Sequence, residues 1–158
     1  MRVIFLDIDG VLNSHAYDRE RTATQGNIDE TRLPLLRRIV EETGANLVLS
    51  TSWRRHWDKA PDRRDWIGRE LAETFRTHGM DIYDKTPEID PRERPSEIRA
   101  WLDAHPEVRE YVILDDFFGG WEELSDHLVK THPRVGRGLE DAHVSAAIRI
   151  LKGEKDGT

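Results

Sequence analysis

Two pairs of aspartates follow short apolar runs, and their type and spacing point to metal chemistry. Asp7 and Asp9 follow one run, and Asp115 and Asp116 follow another. Carboxylates that lie close together repel one another unless a cation neutralises them. A hard divalent ion with oxygen ligands, most simply magnesium, meets that need. The pattern therefore predicts a magnesium site, whereas the alternative, that each aspartate only caps a helix or opens a turn, requires a coincidence at both positions.

The first pair is suited to catalysis as well as to metal binding. Asp7 and Asp9 project the same way if strand geometry continues through them, and Gly10 permits a sharp turn directly afterwards. One carboxylate can bind the metal and attack an electrophile while its neighbour transfers protons. We therefore expect Asp7 and Asp9 to be the catalytic pair.

Apolar runs alternate with segments of helical spacing, and this alternation indicates the fold that positions the aspartates. Strands are predicted at residues 2–6, 46–49, 82–83, 110–114 and 128–129. Helices are predicted from Asn27 to Gly44, from Asp62 to His78 and from Pro95 to Pro106, and a last one carries an apolar stripe from Val144 to Leu151. Asn27 and Glu30 have the spacing of a capping box. The pattern predicts an α/β fold with a doubly wound, mainly parallel sheet and helices on both faces. Such sheets bind ligands at the carboxyl ends of their strands.

The composition excludes several classes of site. The 158 residues are enough for one domain, which we expect at residues 1–152, followed by a polar tail at 153–158. The absence of cysteine excludes disulfides, thiolate nucleophiles and thiolate-bound metals. A net charge of −7 argues against attraction of the whole surface to nucleic acid or to an anionic membrane. No apolar stretch is long enough for a signal peptide or a membrane span, so we expect a cytoplasmic protein without a membrane partner.

Four motifs resemble those of the haloacid dehalogenase-like (HAD) phosphohydrolases and occur in the order of that superfamily. They are DIDGVL from Asp7, LVLSTSW ending at Trp53, Arg94 beside Pro95, and ILDD ending at Asp116. The resemblance covers residues 2–151, and it implies a Rossmann-like HAD fold. The run LSTSWR and the helix after Arg94 are similar, more narrowly, to the HAD domains of Swiss Army Knife RNA repair proteins.

The resemblance implies a magnesium-dependent phosphatase that forms an aspartyl-phosphate. Asp7 would be the nucleophile, and Asp9 would protonate the leaving group and then activate water. Asp7, the backbone carbonyl of Asp9 and Asp115 would hold Mg²⁺, with Asp116 in support.

The same resemblance implies which residues hold the phosphate oxygens, namely Thr51 and Arg94. Two alternatives stay open at this stage. Ser50 and Ser52 flank Thr51, and Lys85 follows a short strand and competes with Arg94. Arg94 is preferred because the basic residue of the superfamily lies near the helix that precedes the fourth strand.

The length of the connections bears on the substrate. HAD enzymes usually select substrates with cap domains inserted after the first or third strand, and residues 13–26 and 82–94 are too few for a cap. An open site favours a phosphorylated macromolecule, and the resemblance to the HAD domains of RNA repair proteins implies a nucleic-acid end and a role in RNA repair. No obligate protein partner is expected. The alternatives are a small-molecule phosphatase or phosphotransferase, or a non-catalytic phosphate-binding regulatory domain.

The segment of residues 54–76 allows two interpretations. It contains seven basic and five acidic residues, with Trp57 and Trp66 inside it and Trp53 directly before it. Basic and aromatic side chains together can bind single-stranded nucleic acid. The small excess of positive charge favours the other interpretation, a helix with a solvated charged face and buried tryptophans.

Overall fold

Five parallel strands form one sheet in the computed structural model, which describes residues 1–90, 93–117 and 119–154. The strands are β1 (Arg2–Leu6), β2 (Asn46–Leu49), β3 (Ile82–Lys85), β4 (Glu110–Asp115) and β5 (Leu128–Lys130). Their order across the sheet is β3-β2-β1-β4-β5. The central strand β1 therefore has β2 and β4 as neighbours, and the carboxyl ends of all three meet at one edge.

Helices cover both faces of the sheet, as predicted. They are α1 (His15–Glu20), α2 (Leu33–Thr43), α3 (Trp66–Thr77), α4 (Arg94–Asp103) and α5 (Asp141–Leu151). Short 3₁₀ turns lie at Glu30–Arg32, Ser52–His56, Pro61–Arg63 and Glu122–His127. The predicted α/β fold, doubly wound and parallel, is confirmed.

The alternation of side chains along the strands divides the core into two layers. Phe5, Val48 and Ile113 pack with Ile98 and Trp101 of α4 on one face. The intervening strand residues pack with α2, α3 and α5 on the other face. Successive strand residues point to opposite faces of the sheet. Asp7, Ser50 and Asp115 each follow one of the three α4-facing strand residues by two positions, so each is directed towards α4 if its strand continues.

The predicted helix start at Asn27 is wrong. Asp29 instead caps the 3₁₀ turn Glu30–Arg32 by accepting a hydrogen bond from Thr31 N, and the α-helix begins at Leu33. Pro34 explains the difference, because proline lacks an N–H and is tolerated only in the first turn of an α-helix.

The predicted helix from Asp62 also begins later than expected. Asp65 caps α3 by accepting a hydrogen bond from Gly68 N, so that the α-helix starts at Trp66. The residues before it form the 3₁₀ turn Pro61–Arg63. At the next helix, Pro95 occupies the second position rather than the first, because α4 already begins at Arg94.

The connection between β1 and α2 contains only the short helix α1 and a 3₁₀ turn, so no domain is inserted there. The connection from β3 to α4, residues 86–93, is also too short for a domain, so the described part of the chain contains no cap, as expected. Residues 155–158 of the predicted polar tail lie outside the described residues. None of the helices in the described ranges has both the length and the apolar character needed to cross a bilayer.

Candidate active site

Three carboxylates converge where β1 and β4 end. One oxygen from each of Asp7, Asp115 and Asp116 lies within 4.8 Å of the others. The parallel register pairs Leu6 with Leu114, and the ladder continues one residue further because Asp7 N donates to Leu114 O at 3.0 Å. The two aspartate pairs predicted from the sequence are thereby brought to the same edge, and Asp7 and Asp115 are 2% and 0% exposed.

Arg94, the first residue of α4, lies between the two buried carboxylates. Its Nη1 is 2.8 Å from Asp7 Oδ2 and 2.9 Å from Asp115 Oδ2. Burial lowers the pKa of Arg94, but the two carboxylates outweigh this and raise it above its ordinary value. Burial, and secondly the charge of Asp115, raises the pKa of Asp7 well above its usual range, and burial raises the pKa of Asp115. One guanidinium therefore does not neutralise the cluster.

The donor set of the cluster fits a hard divalent cation. Asp7 Oδ1 accepts from Ile8 N at 2.8 Å, and Asp115 Oδ1 accepts from Phe117 N at 2.9 Å. These backbone hydrogen bonds fix the two carboxylates and leave their other oxygens directed towards Arg94 and each other. Three carboxylates with surplus negative charge are the ligands that Mg²⁺ prefers, and a divalent charge would remove the repulsion among them.

Gly10 allows Asp116 to join the cluster. Its φ of 85° lies in the left-handed region, and a Cβ at this position would be 2.4 Å from the Asp116 carboxyl carbon. The backbone of Gly10 is held at both ends, since its N–H donates to Asn13 Oδ1 and its carbonyl accepts from Thr131 Oγ1. Any other residue here would push the turn away from Asp116.

Asp9 lies apart from the buried cluster, on the exposed side of the turn. Strand β1 ends at Leu6, so the strand geometry that would align Asp7 with Asp9 does not extend to this position. Asp9 Oδ1 accepts from Asn13 Nδ2 at 3.0 Å, and Oδ2 accepts from Trp53 Nε1 at 3.2 Å. Asn13, which lies outside the four motifs, and Trp53, the last residue of the second motif, thus orient this carboxylate.

The three consecutive hydroxyls at the end of β2 have different surroundings. Thr51 is fully buried, and its Oγ1 accepts from Trp53 N at 3.4 Å, which caps the turn Ser52–His56. Ser52 is exposed. Ser50 is 1% exposed, and its Oγ has no hydrogen-bond partner among the described residues. Buried hydroxyls normally have a partner, so the Ser50 hydroxyl is available to a ligand.

The strand ladder also places Ser50 on the face of the sheet that carries the cluster. Ser50 N donates to Leu6 O at 2.8 Å, which extends the pairing of β1 with β2 by one residue. Ser50 follows the α4-facing Val48 by two positions, as Asp7 follows Phe5. By alternation, both are directed towards α4, where Arg94 lies.

Of the two candidate cations, only Arg94 contacts the carboxylate cluster. Lys85 Nζ donates to the backbone carbonyls of Arg54 and Trp57, at 3.1 and 2.6 Å. Its ammonium therefore holds the turn after β2 in place.

A buried ion pair connects that turn to α4. Arg54 Nη2 is 2.7 Å from Glu97 Oε2, and Arg54 Nη1 donates to Thr51 O at 3.0 Å. Glu97 lies one helical turn after Arg94, so the pair ties the hydroxyl-bearing loop to the helix that carries the cation. Glu97 belongs to the helix pattern that resembles the Swiss Army Knife HAD domains, but its contact with Arg54 is formed only by the tertiary fold and was not predicted.

The tryptophans of the basic segment do not share one environment. Trp57 is 2% exposed, whereas Trp66 is 66% exposed at the start of α3. Several basic side chains are engaged locally: Arg55 binds Glu88, and Arg64 lies over the Trp57 ring. The prediction that the tryptophans of this segment are buried is therefore confirmed for Trp57 and wrong for Trp66.

The comparison with protein families agrees with the fold. The family model for the HAD domain in Swiss Army Knife RNA repair proteins matches residues 3–144, a range that includes all four motifs. The search of curated proteins and the search of solved structures gave no match. Membership of a HAD family supports a phosphatase of the HAD type. Since the match spans most of its length, the chain belongs to the family of HAD domains found in Swiss Army Knife RNA repair proteins.

Proposed function

We propose that the protein is a magnesium-dependent phosphatase that hydrolyses phosphate monoesters through an aspartyl-phosphate on Asp7. The observation that carries this proposal is the surplus of negative charge where the buried Asp7 and Asp115 and the partly buried Asp116 lie beside Arg94. Burying unbalanced charge is costly. An arrangement of this kind is expected where a divalent cation completes the charge balance.

Magnesium would be held by the carboxylates of Asp7, Asp115 and Asp116 and by the backbone carbonyl of Asp9. When bound, it would neutralise the carboxylates and orient the substrate phosphate for in-line displacement.

In the first half of the proposed reaction, a carboxylate oxygen of Asp7 attacks phosphorus. The bond from phosphorus to the leaving oxygen breaks, and Asp9 gives that oxygen a proton. Arg94, at the positive end of α4, balances charge on the phosphate oxygens. Ser50 or Thr51 donates a further hydrogen bond, and the unpartnered Oγ supports Ser50.

In the second half, water attacks the phosphorus of the aspartyl-phosphate while Asp9 accepts its proton. The bond between phosphorus and Asp7 then breaks, which releases inorganic phosphate and restores both aspartates. The exposure of Asp9 supports this dual role, because Asn13 and Trp53 hold its carboxylate at the rim of the site, where it is open to solvent.

The proposed substrate is a phosphorylated nucleic-acid end. Two observations support it: the fold has no cap-sized insertion after β1, and the family is named for HAD domains in RNA repair proteins. Without a cap to enclose a small ester, orientation of the substrate must come from contacts beyond the phosphate.

The test is a phosphate-release assay with magnesium. The substrates are 3′- and 5′-phosphorylated oligonucleotides, mononucleotides, sugar phosphates and phosphopeptides. We expect activity that chelator abolishes and magnesium restores, poor substitution by calcium, and the highest kcat/KM for an oligonucleotide. Full activity in chelator would reject the metal site. No release from any class would favour a phosphate-binding regulatory domain, and a ratio of oligonucleotide to mononucleotide kcat/KM at or below one would reject the macromolecular substrate.

A further inference from the structure

A groove of about 660 Å³ lies between the loop that follows α1 and the start of α3. Its walls are residues 24–31 on one side and, on the other, the turn after β2 together with the first half of α3. This volume falls in the range of pockets that bind small organic groups. None of the motif residues of the phosphatase site except Trp53 and Ser52 contributes to the lining.

Aromatic side chains give the groove a stacking surface. Trp66 lines it with 66% of its surface exposed, and Trp53 lines it at the end nearest the site. Tyr17 closes the opposite wall, where its hydroxyl donates to Gly26 O at 2.7 Å. A largely exposed indole is an uncommon feature of a folded surface, and it is well suited to pack against a flat ring.

The charge of the groove argues against a phosphodiester backbone as its occupant. Asp29, Glu30 and Glu70 line it, and no lysine or arginine appears among its described lining residues. The seven basic residues of segment 54–76 all lie outside the lining. A strand of phosphates would be repelled here, whereas an uncharged planar group would not.

Uncharged polar groups in the same walls can recognise the edge of a planar heterocycle. Gln25, Asn27, Thr31 and Ser52 line the groove. Gln25 Oε1 accepts from Thr22 N and Asn27 Oδ1 accepts from Arg21 Nη1, so these amides turn their acceptors towards the protein. Their N–H groups are the donors suited to an acceptor on the edge of a nucleobase.

The wall that carries Trp66 is fixed in position. A Cβ at Gly68 would lie only 1.7 Å from His56 O, so the glycine lets α3 pack directly on the turn after β2. Asp65, which caps α3, also binds His56 Nδ1 at 2.6 Å. The groove is therefore largely formed before any ligand binds, and this reduces the entropic cost of binding.

The groove is connected to the proposed chemistry through one side chain. Trp53 lines it and donates from Nε1 to Asp9 Oδ2 at 3.2 Å. In the proposed function, Asp9 protonates the leaving oxygen. Trp53 therefore borders both the carboxylate that would meet the leaving oxygen and the groove.

We propose that this groove binds the terminal nucleoside of the phosphorylated nucleic-acid end, with its base stacked on Trp66. The inference rests on the proposed function for its connection to catalysis, but the groove's own affinity for a nucleoside does not depend on turnover. The remaining nucleotides leave the groove, so the site recognises one end residue rather than a continuous strand.

Binding is tested first with adenosine, which has no phosphate, by quenching of intrinsic tryptophan fluorescence. Trp66→Ala is expected to weaken binding about tenfold, the size expected for loss of one base–aromatic stack. Trp66→Phe should recover part of the affinity. Tyr83→Ala is the matched control, because Tyr83 is an exposed aromatic residue outside the groove, and ribose alone should not bind. Absence of adenosine binding to the wild type, or equal binding by Trp66→Ala, would overturn the proposal.

Turnover provides a second, coupled test. An oligonucleotide whose phosphorylated terminal residue lacks its base should lose about as much kcat/KM as Trp66→Ala loses on the intact substrate, roughly tenfold. Combining both changes should add little, because each removes the same contact. Full additivity would show that the base does not contact Trp66. If adenosine binds through Trp66 but no phosphate ester is hydrolysed, the groove stands and the phosphatase proposal fails.

Discussion

Two groups of buried charge lie one helical turn apart along α4, and they differ in balance. Arg54 faces Glu97, one cation against one anion, with their polar atoms 2.7 Å apart and both side chains nearly inaccessible. Arg94 instead faces the two buried carboxylates of Asp7 and Asp115, with Asp116 close by.

The difference separates a structural contact from a binding site. The Arg54–Glu97 pair is balanced by itself and ties a loop to a helix, and the half-exposed Glu88 lies farther off, with its Oε1 3.9 Å from Arg54 Nε. The group around Arg94 carries excess negative charge in a place where charge is poorly solvated, and it becomes balanced only with a cation. Changes to the first group should therefore affect stability, and changes to the second should affect activity and ligand binding.

The largest expected effect is that of Asp7→Asn on turnover. Asparagine keeps the shape but lacks the anionic nucleophile, so kcat should fall by about three orders of magnitude or more. The free energy of unfolding in chelator should stay equal or rise, because one of two repelling buried carboxylates is removed. Steady-state kinetics and denaturant unfolding measure the two effects. Retention of more than about a tenth of the activity would contradict the nucleophilic role.

The next effect is on stability alone. Glu97→Gln removes the buried counter-ion of Arg54 and leaves the half-exposed Glu88 carboxylate, 3.9 Å from Arg54 Nε, as its acidic neighbour. The variant should lower the free energy of unfolding by about 3 kcal/mol. Glu41→Gln is the control, since Arg37 and Glu41 are also 2.7 Å apart but on the surface, and such an i,i+4 pair contributes only a few tenths of a kcal/mol. Urea unfolding measures both variants. If they lose similar amounts of unfolding free energy, the buried pair contributes no more to stability than the exposed one.

Magnesium should stabilise the wild type against unfolding. At a concentration one hundred times its dissociation constant, a ligand that binds only the native state adds about 2.7 kcal/mol. Asp115→Asn should abolish most of this gain, while its stability in chelator should be no lower than that of the wild type. Thermal unfolding with and without magnesium measures both. If magnesium stabilises the wild type and Asp115→Asn equally, the ion does not bind at Asp115.

The smallest expected effect distinguishes the two hydroxyls. Ser50→Ala should lower kcat/KM about tenfold, the size expected for one hydrogen bond to a charged group, and should cost little stability because Ser50 Oγ has no partner to lose. Thr51→Val should instead lower the free energy of unfolding by about 1 kcal/mol through loss of the cap. A larger loss of kcat/KM in Thr51→Val than in Ser50→Ala would favour Thr51 as the phosphate ligand.

Much of the architecture could be predicted because it depends on local patterns. Apolar runs marked all five strands, and the two aspartate pairs at strand ends predicted the carboxylate cluster before the strand order was known. The helix start placed at Asn27 was wrong, although Pro34 carried the signal that the α-helix begins just before it. In that segment, the position of the proline indicates the helix start and the capping-box spacing at Asn27 does not.

Other contacts at the site left no local signal. Trp53 reaches Asp9 from a different strand end, and Arg54 and Glu97 meet across 43 positions of sequence. Such contacts depend on how helices and turns pack above the sheet, which short motifs do not encode. Asn13 is intermediate, because its place three residues after Gly10 suits a side chain that closes the turn.

The strand order also determines when the site can exist during folding. Asp7 and Asp115 are neighbours across β1 and β4, yet about two thirds of the chain separates them in sequence. Closing so long a loop is entropically costly, and contacts of this kind slow folding. The metal ligands are therefore scattered until the central strands have paired, and an ion that needs all of them would bind after the chain has folded rather than guide it there.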